Sequence, residues 1–301
     1  MSDSVFVLGA TLDPSDLRAF CDATGRDPGT VRAFGRAYLP DHEPAFVDRG
    51  GPEGVLVAKP RRGSAVAGAL FTMRDDGALF DAKHASMGLG HSRRATTVLT
   101  DDGCVHRVDA YGCANEGETF LAPTKQTLDT IVRGLVRFGH DASPVRAAAL
   151  GRRPTTEPSS LFVYGTLRHG ESRAAHLEAH HPFESGKGVV HGSVAGRLVD
   201  LGDYPGLLVS SDRTQRAFGE IYTFADLDTV FADLDAVEDF QGYDDLSGEY
   251  VRAIVRVDLD GRERVAWTYL YRGDDTGKRV LASGDWTQRD DRSGEIELGM
   301  R

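Results

Sequence analysis

The chain has 301 residues, with 35 Lys+Arg against 46 Asp+Glu and a formal net charge of −11. That balance excludes a binder of nucleic-acid backbones, which needs a surplus of cations, and the length has room for two domains. Hydrophobic residues at 40% and charged residues at 27% make a globular mixture rather than a disordered one. No apolar run nears the roughly 18 residues that span a bilayer. The opening MSDSVFVLGATLDP lacks the basic and long apolar regions of a signal peptide.

The charged residues are unevenly chosen, 30 Arg to 5 Lys and 32 Asp to 14 Glu. An Asp-rich, Lys-poor surface suits a high-salt cytoplasm; GC-rich codon usage produces the same Arg bias. Three cysteines without a CxxC pair fit neither a disulfide framework nor a structural zinc site, and point to a reducing cytoplasm. Cys104 and Cys113 lie in apolar, strand-like stretches and read as buried small hydrophobes.

In chain order, VFVLG (Val5 to Gly9) is a short apolar run ending at glycine, the mark of a buried strand. Leu17 to Ala23 has helical spacing. Leu128, Ile131, Val132, Leu135 and Val136 place a helix that starts near Gln126 and packs on its own domain. Asp141 to Ser160, rich in Pro, Ser, Thr and Arg, reads as a linker. LFVYG (Leu161 to Gly165) is a second short strand. Val251 to Leu259 alternates, Val265 to Tyr271 is aromatic and β-branched, and Asp260-Gly261 joins them as a hairpin.

The chain also repeats itself. VFVLGATL echoes LFVYGTL, AVAGALFT echoes RAFGEIYT, LFDAKH echoes DLDAVE, and GCVHRVDAYG echoes GRERVAWTYL. The offsets are 156 from Gly9 to Gly165, 151 from Gly68 to Gly219, 154 from His84 to Glu238 and 158 from Tyr111 to Tyr269. Four matches in one order at nearly one spacing imply two tandem copies, far too long a period for a solenoid. The expected boundaries are 1–141, a linker over 142–159, and 160–301. Each copy mixes strands and helices without a regular βαβ order, which fits an α+β class with a compact mixed barrel or sheet and flanking helices.

The richest stretch is LFVYGTLRHG. A strand delivers the chain to Gly165, Thr166 and Leu167; glycine permits a sharp turn and close ligand approach, and successive N–H groups there can form an anion nest. An ordinary strand-end turn is the plainer reading. Glu238, in DLDAVEDF, sits beside Leu234, Val237 and Phe240; a carboxyl among apolar neighbours ionises late and suits proton transfer near neutral pH, although most glutamates on helices are simply solvated. Arg252, in EYVR, is readable as a carboxylate holder or a surface cation. Tyr204-Pro205-Gly206 is a turn first and a cavity wall second. His176 and His180 stand four apart, a spacing that can bind a metal, but HLEAHH is polar and contains no HExxH motif, so a solvated helix face is favoured and no metal is expected. The loop from His181 to His191 is a candidate rim.

VYGTLRHG, DYPGL, GEIY, LDAVEDF, EYVR and AWTYLY, in that order, resemble the γ-glutamylcyclotransferase-like family, particularly its AIG2-like and γ-glutamylamine cyclotransferase branch. The likeness covers nearly all of Ser160 to Trp286. It implies a small mixed β-barrel with flanking helices, release of 5-oxoproline from a small γ-glutamyl amine or peptide, and no cofactor. It also implies a γ-glutamyl pocket lined by Tyr164, Gly165, Thr166 and Leu167, and an acid/base on Glu238. Val5 to Gly139 resembles the same superfamily's larger cyclotransferase branch, through VFVLGATL, GGPEGVLVA, LFDAKHASMG and PTKQTLDTIVRGLVRFG. Its site reads as degenerate: Leu8-Gly9-Ala10-Thr11 replaces the Tyr-Gly-Ser-like turn, and His84 stands at the acid/base position, with Glu116 or Glu118 as conceivable substitutes; histidine also transfers protons near neutral pH, so a substituted but active site is the lesser reading beside lost catalysis. The rival to an enzyme is a binding protein that takes small carboxylate-bearing ligands on the same fold. A third reading has the two domains dock, the first shaping the second's entrance. Nothing in the sequence implies nucleic-acid or membrane partners.

Overall fold

The computed structural model describes residues 4–74, 76–87, 93–113, 118–155, 157–180 and 189–289. They form two compact units, one of residues 1–159 with 225–228, the other of 160–224 with 229–301. Among the described residues no helix is long and apolar enough to cross a membrane.

The first unit is a closed barrel. β1 (Ser4–Val7), β2 (Val31–Val47), β3 (Val55–Met73), β4 (Arg94–Leu99) and β5 (Val105–Ala110) run in the order β1-β3-β2-β4-β5, and β1 closes it by lying parallel to β5. β2 and β3 are long antiparallel partners, and register shifts at Ala33/Gly35 and Pro40/His42 bend the pair. Three helices belong here: α1 (Pro14–Thr24), α2 (Ala78–Ser86) and α3 (Lys125–Arg137). In α3 the apolar stripe buries Ile131, Val132 and Leu135 in the barrel's core, and Thr124 caps its start by accepting from the Thr127 N–H.

A fourth helix, α4 (Ser143–Ala149), corrects the linker reading of 142–159. Its Pro144 opens the first turn, and Val145, Ala148 and Ala149 are buried in the first core. Small alanines at helical spacing carry little hydrophobic signal but pack closely. Cys104 is also corrected: it is exposed on the turn before β5, and Cys113 is half-buried.

The second unit contains α5 (Ala174–Glu178), α6 (Asp228–Val237), β6 (Ser160–Val163), β7 (Val190–Asp200), β8 (Pro205–Val209), β9 (Arg216–Thr223), β10 (Tyr250–Leu259), β11 (Arg262–Tyr271) and β12 (Arg279–Val280). Its strands follow β10-β11-β6-β9-β7, and a β10–β7 pairing at Asp258↔Ser193 closes a second five-stranded barrel, with β8 and β12 extending from β7. β10 and β11 form the expected hairpin: Asp260 and Gly261 both have positive φ, the geometry a tight two-residue turn requires.

The repeated sequence has repeated causes. A Cβ at Gly68 would lie 2.4 Å from the Val7 carbonyl oxygen and 2.5 Å from the Phe6 ring; at Gly219 it would lie 2.3 Å from the Val163 oxygen and 2.7 Å from the Phe162 ring. In each barrel a phenylalanine of the first strand lies over a glycine of its antiparallel neighbour. The pair Asp81–Tyr111 (2.5 Å) likewise recurs as Asp235–Tyr269 (2.7 Å). The protein is therefore two tandem α+β barrels, and the echo in the sequence records their shared packing.

Candidate functional site

In the second barrel a cavity of ≈ 30 Å³ is lined by the segment from Phe162 to Leu167, with Arg173, Tyr204, Pro205, Glu238, Tyr250 and Tyr269. β6 delivers the glycine turn to this cavity. Gly165 does not need a left-handed backbone; it needs an absent side chain, because a Cβ would lie 2.7 Å from Cγ of Pro205. The same turn leaves the N–H groups of Gly165, Thr166 and Leu167 without hydrogen-bond acceptors among the described residues, while the Gly165 carbonyl accepts from the Arg168 N–H. Three unsatisfied donors in a row suit an anion or a developing oxyanion.

The turn is held from behind by buried ions. Arg168 pairs with Glu220 (3.2 Å) and Asp285 (2.6 Å); Glu220 also accepts from the His169 N–H (2.8 Å) and the Tyr222 hydroxyl (2.7 Å). With its oxygens thus engaged, Glu220 is scaffolding. Both residues lay inside the motifs TLRHG and GEIY, but only burial shows that they meet.

Glu238 follows the last residue of α6. The helix ends with Asp239 at φ 52°, and the Phe240 N–H reaches back to the Asp235 carbonyl (2.8 Å), a Schellman-type stop that turns the chain there. The Glu238 carboxyl accepts no hydrogen bond among the described residues. Desolvation at the cavity wall raises its pKa to about 7; the Arg173 cation works against that rise and Glu249 adds to it. It is a carboxylate poised between acid and base at neutral pH.

The sequence-derived set divides as follows. Glu238, Tyr164, Gly165, Thr166, Leu167 and Tyr204 share the cavity. Tyr164 donates to the Tyr269 carbonyl (2.8 Å), and Tyr204 donates to Glu249 (2.9 Å). Arg252 is a correction: its side chain is 1% exposed, pairs with Asp235 (3.2 Å) and lies among the rings of Phe231, Phe240 and Trp267, outside the cavity lining. It braces Asp235, which in turn accepts from the cavity-lining Tyr269. Strand alternation alone does not say which face of β10 an arginine takes. Pro205 lines the cavity beside Tyr204, the second of the two roles the sequence offered for that turn; Tyr250 and Tyr269 were missed as wall residues, although each sits in a quoted motif, and so was Arg173, for which there was no signal. His180 pairs with Asp233 (2.7 Å), and no metal-binding cluster occurs among the described residues. Most of the candidate rim, 181–188, lies outside the described residues.

The first barrel has a larger cavity, ≈ 350 Å³, lined by Leu8, Gly9, Ala10, Arg49, residues 50–56, Ser86, Met87, Thr127 and Ile131. Thr11 is buried beside it, its hydroxyl 3.9 Å from the Met87 sulfur. His84 is placed differently from the expectation. It lies within α2, 1% exposed, bonded through Nδ1 to the Phe80 carbonyl (2.8 Å) and stacked on Tyr111 at 3.9 Å, and it does not line the cavity. Burial lowers its pKa to about 4. Glu118 pairs with Arg49 (2.7 Å), and Glu116 lies outside the described residues.

A family model described as "Gamma-glutamyl cyclotransferase, AIG2-like" matches residues 161–288, the span that holds this whole constellation. A Niallia circulans protein, gamma-L-glutamyl-butirosin B gamma-glutamyl cyclotransferase, is 34% identical over 130 residues, covering 43% of this chain and 76% of its own length. The chain belongs to the gamma-glutamyl cyclotransferase family. A Vibrio cholerae O1 relative is 36% identical over 137 residues, 43% of this chain and 96% of its own. The gamma-glutamylcyclotransferase family protein YtfP of Escherichia coli K12 is 28% identical over 43% and 97%. A solved gamma-glutamyl cyclotransferase structure is similar at a TM-score of 0.39 and 17% identity, over 45% of this chain and 79% of its own. As a member of this family the chain is an enzyme of the gamma-glutamylcyclotransferase type.

Proposed function

We propose that the second barrel releases 5-oxoproline from a γ-glutamyl amine or short γ-glutamyl peptide, with Glu238 as the acid/base. The observation that carries this is the unbonded carboxyl of Glu238, with a pKa near 7, lining one cavity with three unsatisfied amides. Glu238 takes a proton from the substrate's α-ammonium. The freed amine attacks the γ-carbonyl carbon, forming the ring C–N bond, and the carbonyl pair moves onto oxygen, facing the Gly165–Leu167 amides. Collapse breaks the bond to the leaving nitrogen, which receives the proton from Glu238. The ring nitrogen sheds its second hydrogen, and the departing amine ends as an ammonium, so charge is conserved. Because nucleophile and carbonyl belong to one molecule, orientation supplies much of the acceleration.

The first barrel is proposed not to catalyse this step. Its cavity offers Glu53, but that carboxylate accepts from the Thr124 N–H (2.8 Å) and the Thr127 hydroxyl (2.9 Å); burial raises its pKa, and these bonds outweigh burial and hold it below the ordinary range. Its His84 is neutral and faces the core. The test is a panel of γ-glutamyl amines and peptides read out as 5-oxoproline, for the native protein and Glu238→Gln. Native turnover that vanishes in a folded Glu238→Gln supports the proposal; substantial residual turnover overturns it.

A further inference from the structure

Among the described residues, Arg173 is the one lining residue of the second cavity that carries a fixed positive charge. It begins the turn into α5, and its backbone N–H donates to the Thr166 carbonyl at 2.9 Å, so the loop that presents the free amides also carries this side chain. Its guanidinium lies over the Tyr204 ring, with Cζ 5.4 Å from the centroid. In a chain where Arg61, Arg168, Arg252 and Arg289 each pair with a carboxylate, Arg173 pairs with none among the described residues. It is nonetheless the strongest charge acting on Glu238. One anionic and one cationic side chain thus face one small cavity without bonding each other.

An α-amino acid head group has the complementary pattern: an ammonium and a carboxylate on a single carbon. If Glu238 takes the ammonium, the opposite charge needs a planar, bidentate donor, which is what a guanidinium offers. We infer that Arg173 holds the α-carboxylate of the γ-glutamyl group, confining the site to substrates with a free α-amino acid end. This rests on the reading of the cavity as a γ-glutamyl site and adds what selects the substrate. It also divides the labour in that site. With the carboxylate on Arg173, the Gly165–Leu167 amides remain free for the oxygen that becomes negative during ring closure. An arginine bound to the carboxylate also fixes the α-carbon, so the amine approaches the carbonyl from one side.

The test uses the full chain, native and as Arg173→Gln and Arg173→Lys, with two probes. The first is calorimetric binding of 5-oxoproline against 5-oxoprolinamide, which differ only in the anionic group. Native protein is expected to prefer the carboxylate by about 10- to 100-fold, the usual worth of a charged hydrogen-bonded pair. Arg173→Gln is expected to erase that preference and Arg173→Lys to keep part of it. The second is turnover of a γ-glutamyl amine against its α-carboxamide counterpart. The Gln variant is expected to raise KM for the carboxylate substrate alone and to move the pH–rate profile upward, since Glu238 loses a neighbouring cation. A native protein with no preference, or a Gln variant that retains it, overturns the inference. A native protein that shows the binding preference but turns over no γ-glutamyl compound leaves Arg173 in place and removes the catalytic proposal.

Discussion

Removing the charge of Glu238 should stabilise the protein while stopping its chemistry, and the size of the gain should follow pH. In the unfolded chain the carboxyl ionises near its ordinary 4.5; in the folded chain burial holds it to about 7. Below pH 4.5 both states are protonated and the site costs nothing. Between 4.5 and 7 the unfolded chain gives up the proton while the fold retains it, so stability falls as pH rises. Above 7 the full penalty is in place, about 3 kcal/mol from ~1.4 kcal/mol per tenfold displacement. Glu238→Gln carries no such penalty. The variant should match the native protein near pH 4.5 and exceed it by up to about 3 kcal/mol at pH 8. Urea unfolding followed by tryptophan fluorescence reads the right unit, since the chain's two tryptophans, Trp267 and Trp286, are both buried in the second barrel. The native kcat/KM should climb through pH 7 as the base deprotonates. A stability difference that stays flat with pH, or a Gln variant weaker at pH 8, refutes the desolvated-carboxyl argument.

Three further outcomes follow from the packing. Gly165→Ala drives a Cβ against the Pro205 ring; it should cost roughly 1–3 kcal/mol by overpacking and cut kcat/KM more than tenfold by shifting the amides, measured by urea unfolding and 5-oxoproline release. Arg252→Met takes from the half-buried Asp235 the cation that pairs with it at 3.2 Å; it should cost roughly 1–3 kcal/mol, while the folded protein keeps a near-native KM, and a large KM increase would return Arg252 to the substrate. His84 and His140 are both held near pKa 4 by burial against an ordinary 6.5. Each therefore costs the first barrel stability as pH falls from 6.5 to 4, up to about 3 kcal/mol apiece. His84→Phe should make hydrogen exchange in the first barrel less acid-sensitive without changing 5-oxoproline release.

Local physics made much of this legible in the sequence. Period-two and period-3.6 patterns located β1, β6, α3 and the β10–β11 hairpin, because burial of one face is written residue by residue along an element. The tandem repeat was legible for the same reason: Gly68 and Gly219 must be small wherever a phenylalanine crosses them. The helix α4 was not, since alanines pack without advertising it. Arg252 and His84 show the deeper limit. Each occupies a motif position beside site residues, but a side chain's partner depends on which way its element turns in three dimensions, so Arg252 bonds Asp235 and His84 stacks on Tyr111. Residue type and order along the chain determined that a carboxyl, a glycine turn and a repeated barrel exist. Only the closing of the second barrel decided that Glu238 shares a desolvated space with that turn and with Arg173, because desolvation and charge proximity belong to distances across the fold.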